Sequence, residues 1–138
     1  MFAITYATMQ DMHYVCSGEN LSESEFELKV RDKRCYILRY DKKPIGVMVF
    51  NLIWDFIPFL TLMYLEDDYQ MKGFGSKAMA HWENEMRSLE YKMIMVSTQV
   101  DESAQHFYRK RGYKDMGSIA MNIPPYEQPL EMFLGKSL

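Results

Sequence analysis

The short motif with the clearest chemical meaning is a pair of glycines, Gly73-Phe74-Gly75, between an apolar stretch and a long helical pattern. Two glycines let the backbone approach a ligand closely and turn several N–H groups to one side. A helix that begins there adds about half a positive charge at its first turn. The motif predicts a phosphate-binding loop, although an ordinary strand-to-helix turn explains the two glycines equally well.

Two common phosphate-binding motifs do not fit this loop. Gly73, Gly75 and Ala78 have the spacing of a dinucleotide-binding fingerprint. However, seven residues separate Leu65 from Gly73, whereas that fold turns directly off its strand. A P-loop needs a glycine separated by four residues from Gly-Lys-Ser or Gly-Lys-Thr, and for the Gly-Lys-Ser at Gly135 that position is Leu130. Neither motif explains the glycines.

Composition predicts one ordinary globular domain. The chain has 138 residues, of which 48% are apolar and 25% charged, as in globular rather than disordered, collagenous or coiled-coil proteins. This length favours a single domain over residues 1–138. With 16 Lys and Arg against 19 Asp and Glu, the net charge is −3. An acidic chain without a dense basic run is not expected to bind nucleic acid.

The cysteine and hydropathy patterns predict a cytoplasmic protein. Cys16 and Cys35 make no disulfide framework, and with three scattered histidines they match no zinc pattern, so no metal is expected. Reduced cysteines are typical of an intracellular protein. The first fifteen residues lack the basic start of a signal peptide. No apolar run reaches the roughly 20 residues of a membrane helix, so no membrane partner is expected.

Seven strands and four helices are predicted in the order β-α-α-β-β-β-α-β-α-β-β. The strands are expected at residues 2–8, 35–40, 45–53, 59–65, 93–98, 113–121 and 130–134. Thr8 and Asp11 fit a capping box for a short helix that ends near Gly18. Ser22 is predicted to cap a second helix over residues 23–32.

The other two helices follow the glycine loop and the fifth strand. The third begins at Gly73, and its predicted inner face repeats every three or four residues. This face consists of Phe74, Ala78, Trp82, Met86 and Leu89. The fourth is predicted to start at a cap formed by Asp101 and to end at Gly112.

Three motifs together resemble the GNAT superfamily of acyl-CoA-dependent N-acetyltransferases. The run from Gln70 to Gly75 resembles the Q/R-x-x-G-x-G/A loop of that superfamily. Its common opening is matched by Ile4, Ala7, Thr8 and Asp11, and its second signature by Ala104, Phe107, Tyr108, Lys110, Gly112 and Tyr113. The resemblance implies an α/β fold with a mixed, mostly antiparallel sheet of about seven strands and four flanking helices, splayed at the acetyl-CoA site.

The same resemblance implies how acetyl-CoA is held. Backbone groups of Met63, Tyr64 and Leu65 would pair with the pantetheine arm. The pyrophosphate would lie on backbone N–H groups of the loop, Met71, Lys72, Gly73, Phe74, Gly75 and Ser76. Ala104 and Asp101 fall on further cofactor positions, with Asp101 where the family usually has asparagine. Val96 stands where some members carry a carboxylate base.

Acetyl transfer to an amine also needs a base and a group that assists thiolate departure. A lysine-like amine has a pKa near ~10.4, so a proton must be removed. Glu66 is the preferred base, acting directly or through a water, and Asp55 is the second candidate. A solvated loop carboxylate is the alternative interpretation of Glu66. The resemblance puts Tyr108 at the general-acid position, where a core tyrosine is the alternative.

The acceptor is expected to be a primary amine, on a small molecule or a peptide. The first two helices and residues 122–129 would form its side of the site. The predicted acceptor-binding residues are Trp54, Asp55, Tyr126 and Glu127. The acidic run over residues 66–68 favours a cationic acceptor. A non-catalytic acyl-CoA-binding module is the alternative function, and a homodimer is left open.

Overall fold

The helices and strands follow one another in the order predicted from the sequence. The computed structural model describes residues 1–18 and 20–138. In that part of the chain the strands are β1 Phe2–Tyr6, β2 Cys35–Tyr40, β3 Lys43–Ile53, β4 Ile57–Leu65, β5 Met93–Gln99, β6 Lys114–Ile119 and β7 Glu131–Ser137. The α-helices are α1 Met12–Cys16, α2 Glu23–Arg31, α3 Phe74–Ser88 and α4 Ala104–Lys110. Short 3₁₀ turns occupy Met9–Asp11 and Asp67–Tyr69.

The seven described strands form one mixed sheet. Their order is β1-β2-β3-β4-β5-β7-β6. β4 and β5 run parallel, whereas β1 with β2, β2 with β3, β5 with β7, and β7 with β6 are antiparallel. The predicted fold class, a mostly antiparallel mixed sheet with four helices, is confirmed.

The chain divides into two compact units. The first unit consists of Met1–Asn51 and Thr61–Glu85, and the second of Leu52–Leu60 and Met86–Leu138. β4 contributes residues to both units. The expectation of one domain over residues 1–138 stays a prediction.

The first two helices pack on the start of the sheet within the first unit. Their shared core consists of Ala7, Val15, Phe26, Cys35, Ile37, Val47 and Val49, with Tyr14 and Cys16 packed against it. The predicted caps are present. Thr8 N–H donates to Asp11 Oδ2 at 2.9 Å, and Ser22 Oγ accepts from Glu25 N–H at 3.2 Å. The first bond marks the start of the 3₁₀ turn Met9–Asp11, which leads directly into α1, and the second marks the start of α2.

Two helix-end predictions are wrong. Asp101 is not the cap of α4, because the carboxylate of Glu102 accepts from Gln99 N–H at 3.1 Å and a turn delays the helix, whose N-cap is Ser103. Leu89 is not on an inner face, since it is 58% exposed beyond the end of α3. The chain reverses there, with Glu90 at φ +69°, which is a common helix ending. The remaining strand ends differ from the predictions by up to three residues.

Candidate active site

The glycine loop of the first unit joins β4 to α3 and presents backbone donors. Gly73 has φ +84°, a left-handed conformation that favours glycine. The first hydrogen bond of α3 runs from Lys77 N–H to Gly73 O at 3.2 Å. The N–H groups of residues 74–76 precede it and have no acceptor within the helix. They form the kind of anion cradle that phosphates occupy at helix N-termini.

Two lysines add positive charge to this loop. Lys72 Nζ lies 6.0 Å from the ring centroid of Tyr69, and Lys77 Nζ lies 6.0 Å from that of Phe74. Met71, which precedes Lys72 in the segment after β4, has φ +61° and a fully exposed side chain. Both lysines belong to the loop and the first turn of α3, so their charges add to the positive end of the helix dipole in this segment.

An aromatic cluster fixes the start of α3. The ring of Phe74 stacks on Phe2 with centroids 4.6 Å apart and planes 5° apart. It also contacts the rings of Tyr40 and Tyr69 at 5.6 and 6.5 Å. These contacts tie the helix start to β1 and β2, so the loop backbone is preorganised.

Gln70, the first residue of the loop motif, ties the loop to the end of β4. Its Nε2 donates to Leu65 O at 2.8 Å and to Asp67 Oδ1 at 3.3 Å. Tyr69 N–H donates to Glu66 O at 2.9 Å. Leu65, one of the residues expected to pair with pantetheine, thus has a carbonyl that already accepts one hydrogen bond and keeps a second lone pair.

The end of β4 lies directly against the backbone of β3. A Cβ added to Gly46 would come within 2.3 Å of Tyr64 O and 3.2 Å of the Leu65 Cα. Glu66 N–H donates to Ile45 O at 2.8 Å. Only glycine allows this approach, which places the Glu66 backbone.

The Glu66 side chain is held by a tyrosine from α1. Tyr14 OH donates to Glu66 Oε2 at 2.6 Å, and both residues are partly buried. Burial, followed by this bond to Glu66, raises the pKa of Tyr14, so its hydroxyl remains a donor at neutral pH. Tyr14 is not among the site residues predicted from the sequence. The only signal that it carried was its position in a helix expected to face the acceptor.

Glu66 lines a cavity, called here the Glu66 cavity, of about 280 Å³ within the first unit. The lining residues are Tyr14, Val15, Ser17, Gly18, Asn20, Val47, Leu62, Tyr64 and Glu66. Two of the site residues predicted from the sequence, Glu66 and Tyr64, line this cavity. The described part of the wall includes no other predicted acceptor-binding or cofactor-binding residue.

The second unit contains Tyr108, the predicted general acid. It lies on α4, is 7% exposed, and packs against the rings of Phe107 and Tyr113 at 5.5 and 5.6 Å. No described residue bonds to its hydroxyl. Burial, with a smaller contribution from the charge of Glu102, raises the pKa of Tyr108 to about 12. The phenol therefore carries its proton throughout the physiological range.

The other predicted residues of the second unit lie in turns or at the start of α4. Trp54 and Asp55 form the left-handed turn between β3 and β4, at φ +55° and +68°. Trp54 is 77% exposed and Tyr126 72%, and Asp101 and Glu127 are exposed. Ala104 is half-buried at the first position of α4. The roles of these residues stay predictions.

The described residues contain neither a group of metal ligands nor a membrane-spanning helix. In residues 1–18 and 20–138, no three His, Cys, Asp or Glu side chains are grouped so that they could hold a metal ion. No helix in this part of the chain has the length and apolar character of a membrane span.

Comparison with known proteins identifies one family. The model of the acetyltransferase (GNAT) family matches residues 4–113, and a comparison with curated sequences finds no significant match. Ard1 from Thermoplasma volcanium superposes with a TM-score of 0.84 at 12% identity, covering 99% of this chain and 97% of its own. The ribosomal-protein-S18-alanine N-acetyltransferase from Escherichia coli gives 0.81 at 16% identity, covering 99% and 94%. A GNAT family acetyltransferase from Elizabethkingia anophelis, with acetyl-CoA bound, gives 0.74 at 17% identity, covering 99% and 98%. At these identities the structures show the shared fold.

Proposed function

The chain belongs to the acetyltransferase (GNAT) family, and from this premise we propose that it transfers the acetyl group of acetyl-CoA to a primary amine. One observation carries the proposal. A carboxylate on a cavity wall, Glu66, is followed within the same segment by the anion cradle at residues 74–76. A proton acceptor and a phosphate site are thus held by one strand end and one helix start.

Acetyl-CoA fits the chemistry of this segment. The N–H groups at the start of α3, with Lys72 and Lys77 near them, suit its pyrophosphate. Met63, Tyr64 and Leu65 offer strand-edge backbone groups for the pantetheine amides. Binding energy from these remote contacts holds the thioester for reaction.

In the proposed reaction two side chains move protons. Glu66 removes a proton from the amine, directly or through a water, and the freed lone pair forms the new bond between nitrogen and the acetyl carbon. The bond between that carbon and sulfur breaks. Tyr108, in the role that the family resemblance gives it, donates its proton to the sulfur. The nitrogen releases its second proton to solvent as the amide forms, so the products are the N-acetylated amine and the CoA thiol. Glu66 then returns its proton to solvent, and Tyr108 takes one from solvent.

The alternative is an acyl-CoA-binding module without turnover. Two residues support this alternative. Val96, fully buried in β5, provides no base where some family members have one. Asp101 stands where the family usually has asparagine. Release of thiol from acetyl-CoA in the presence of a panel of primary amines separates the two functions, because a binding module releases none.

Acetyl-CoA binding is tested by thermal unfolding. A ligand at a hundred times its Kd adds about 2.7 kcal/mol to the free energy of unfolding. We expect such a shift for the natural chain and for Ser24→Leu, an exposed position on α2. Gly75→Leu should lose most of it, because a bulky side chain blocks the approach to the loop. An unchanged melting temperature of the natural chain in millimolar acetyl-CoA would contradict the proposal.

A further inference from the structure

The lining of the Glu66 cavity restricts which amines the protein accepts. We propose that the acceptor is a primary ammonium on an uncharged body, either a small monoamine or the N-terminus of a peptide, and that free amino acids are rejected. The proposal rests on the proposed function for the identity of the reaction, but it concerns binding and is tested without turnover.

Charge on the cavity wall is the first argument. Among the described lining residues Glu66 is the one charged side chain, and there is no lysine, arginine or histidine. An α-carboxylate entering with its amine would lose water without gaining a cationic partner, which is costly. It would also approach the like charge of Glu66. An amide or a hydrogen atom at the same position carries neither penalty.

The geometry of Glu66 is the second argument. Tyr14 OH occupies Oε2, and no described residue donates to Oε1. An ammonium group can therefore form a charge-assisted hydrogen bond with Oε1, which is stronger than a bond between neutral groups. Because Glu66 carries a single negative charge and no other described lining residue is charged, one ammonium group is the charge that the described wall can match.

Size and polarity give the third argument. The volume of about 280 Å³ lies just below the ~300–1,000 Å³ of sites for drug-sized ligands. Val15, Val47 and Leu62 contribute apolar surface, and Ser17 and Asn20 contribute neutral polar groups. The cavity suits a short, mainly apolar body with room for one amide.

Three compounds with one side chain test the proposal. These are 3-methylbutylamine, leucinamide and leucine, which differ in what stands beside the amine: hydrogen, amide or carboxylate. Their binding to the full chain is measured by calorimetry at pH 7 with CoA present, so that no acetyl group is available. We expect the first two to bind at least about tenfold more tightly than leucine. An amidated tripeptide with N-terminal leucine separates peptide from small-molecule acceptors.

Two variants connect this binding to the cavity. Glu66→Gln should lower the binding affinity for 3-methylbutylamine and leucinamide by about tenfold. Asn20→Lys places a cation on the wall at an exposed position. It should raise the affinity for leucine relative to that for leucinamide by about threefold or more. Ser24→Lys adds the same charge at an exposed position outside the cavity and should leave the ratio unchanged.

Each outcome bears on the proposal. Equal or tighter binding of leucine, binding that does not depend on Glu66, or no binding of any of the three would overturn it. Failure of acetyl transfer is a separate result. If amines bind in the expected order but no thiol is released from acetyl-CoA, the acceptor class stands and the proposed function fails.

Discussion

Tyr14 in the first unit and Tyr108 in the second are both buried or partly buried tyrosines, but their hydroxyl groups differ in hydrogen bonding. Burial raises the pKa of both side chains. The hydroxyl of Tyr14 is engaged, because it donates to Glu66 at 2.6 Å. The hydroxyl of Tyr108 has no partner among the described residues, and its ring is held by neighbouring aromatic rings.

The difference in hydrogen bonding suits the two hydroxyl groups to different roles, one to hold a carboxylate in place and the other to donate a proton. A hydroxyl that already donates to a carboxylate keeps that carboxylate in place and has no second proton to give. A buried hydroxyl with a raised pKa and no partner keeps its proton and can give it to a departing sulfur. For the proposed reaction, this difference favours Tyr14 as the residue that positions Glu66 and Tyr108 as the proton donor to the leaving group.

The largest effect is expected from Glu66→Gln. Loss of the base should lower kcat/KM by about 10²–10⁴-fold at pH 7. The residual rate should rise with pH, because a lysine-like amine loses its proton unaided as pH approaches ~10.4. Steady-state thiol release from pH 6 to 10 measures both effects. Asp68→Asn, an exposed loop carboxylate next to the same segment, is the matched control. A Gln variant within threefold of the natural chain would show that Glu66 is a solvated loop residue.

A smaller effect is expected from Tyr108→Phe. Phenylalanine retains the ring packing, so the melting temperature and acetyl-CoA affinity should hardly change. The turnover number should fall by roughly 10–100-fold, or about 1.4–2.7 kcal/mol of barrier. The thiol, with a pKa near that of cysteine, ~8.5, departs fairly well without help, which limits the loss. Tyr91→Phe, a half-buried tyrosine elsewhere in the second unit, should change nothing. Turnover within threefold of the natural chain would make Tyr108 a core tyrosine.

Tyr14→Phe should have a still smaller effect. It removes one hydrogen bond to the Glu66 carboxylate, and bonds to charged groups contribute about 1.5–3 kcal/mol. Because the base itself remains, only part of that contribution should be lost from catalysis, and kcat/KM should fall roughly 3–10-fold. The decisive measurement is the double variant. If Tyr14 acts through Glu66, Tyr14→Phe adds no further loss in the Glu66→Gln background. Multiplying effects would instead indicate an independent role for Tyr14.

Below pH 10, the pH profile of the natural chain should show no step caused by ionisation of the Tyr108 hydroxyl. Burial disfavours the phenolate and raises its pKa to about 12, so the proton-donating form is present below that value and is lost only above it. The turnover number should therefore stay level or rise from pH 7 to 10. An alkaline decline with an apparent pKa below 10 that disappears in Tyr108→Phe would contradict the assignment.

The fold could be predicted because its signals are local. Helix starts depend on neighbours three residues apart, as at Ser22 and Glu25, and the inner face of α3 follows from helical spacing up to Met86. Residue type alone fails at the start of α4. Asp101 suits a cap, but the Glu102 carboxylate accepts a hydrogen bond from Gln99 N–H, and the helix begins after Ser103.

The candidate site was predictable in part. The glycine loop and Glu66 lie within ten positions of one another, so motif and strand end identify them together. Tyr14 lies 52 positions from Glu66, and no spacing rule links a lone tyrosine in a short helix to a distant carboxylate. The need for glycine at Gly46 also depends on a contact with β4, which is visible only in three dimensions.

Acetyl transfer from acetyl-CoA to a primary amine is established by measuring both products of one reaction. The full chain is mixed with acetyl-CoA and 3-methylbutylamine, thiol release is followed in time, and the amine is analysed by mass spectrometry, with Glu66→Gln as control. We expect equal amounts of CoA thiol and N-acetylated amine, both formed at least about a hundredfold more slowly by the variant. Thiol release without an acetylated amine, or no release by a chain that binds both compounds, would contradict it.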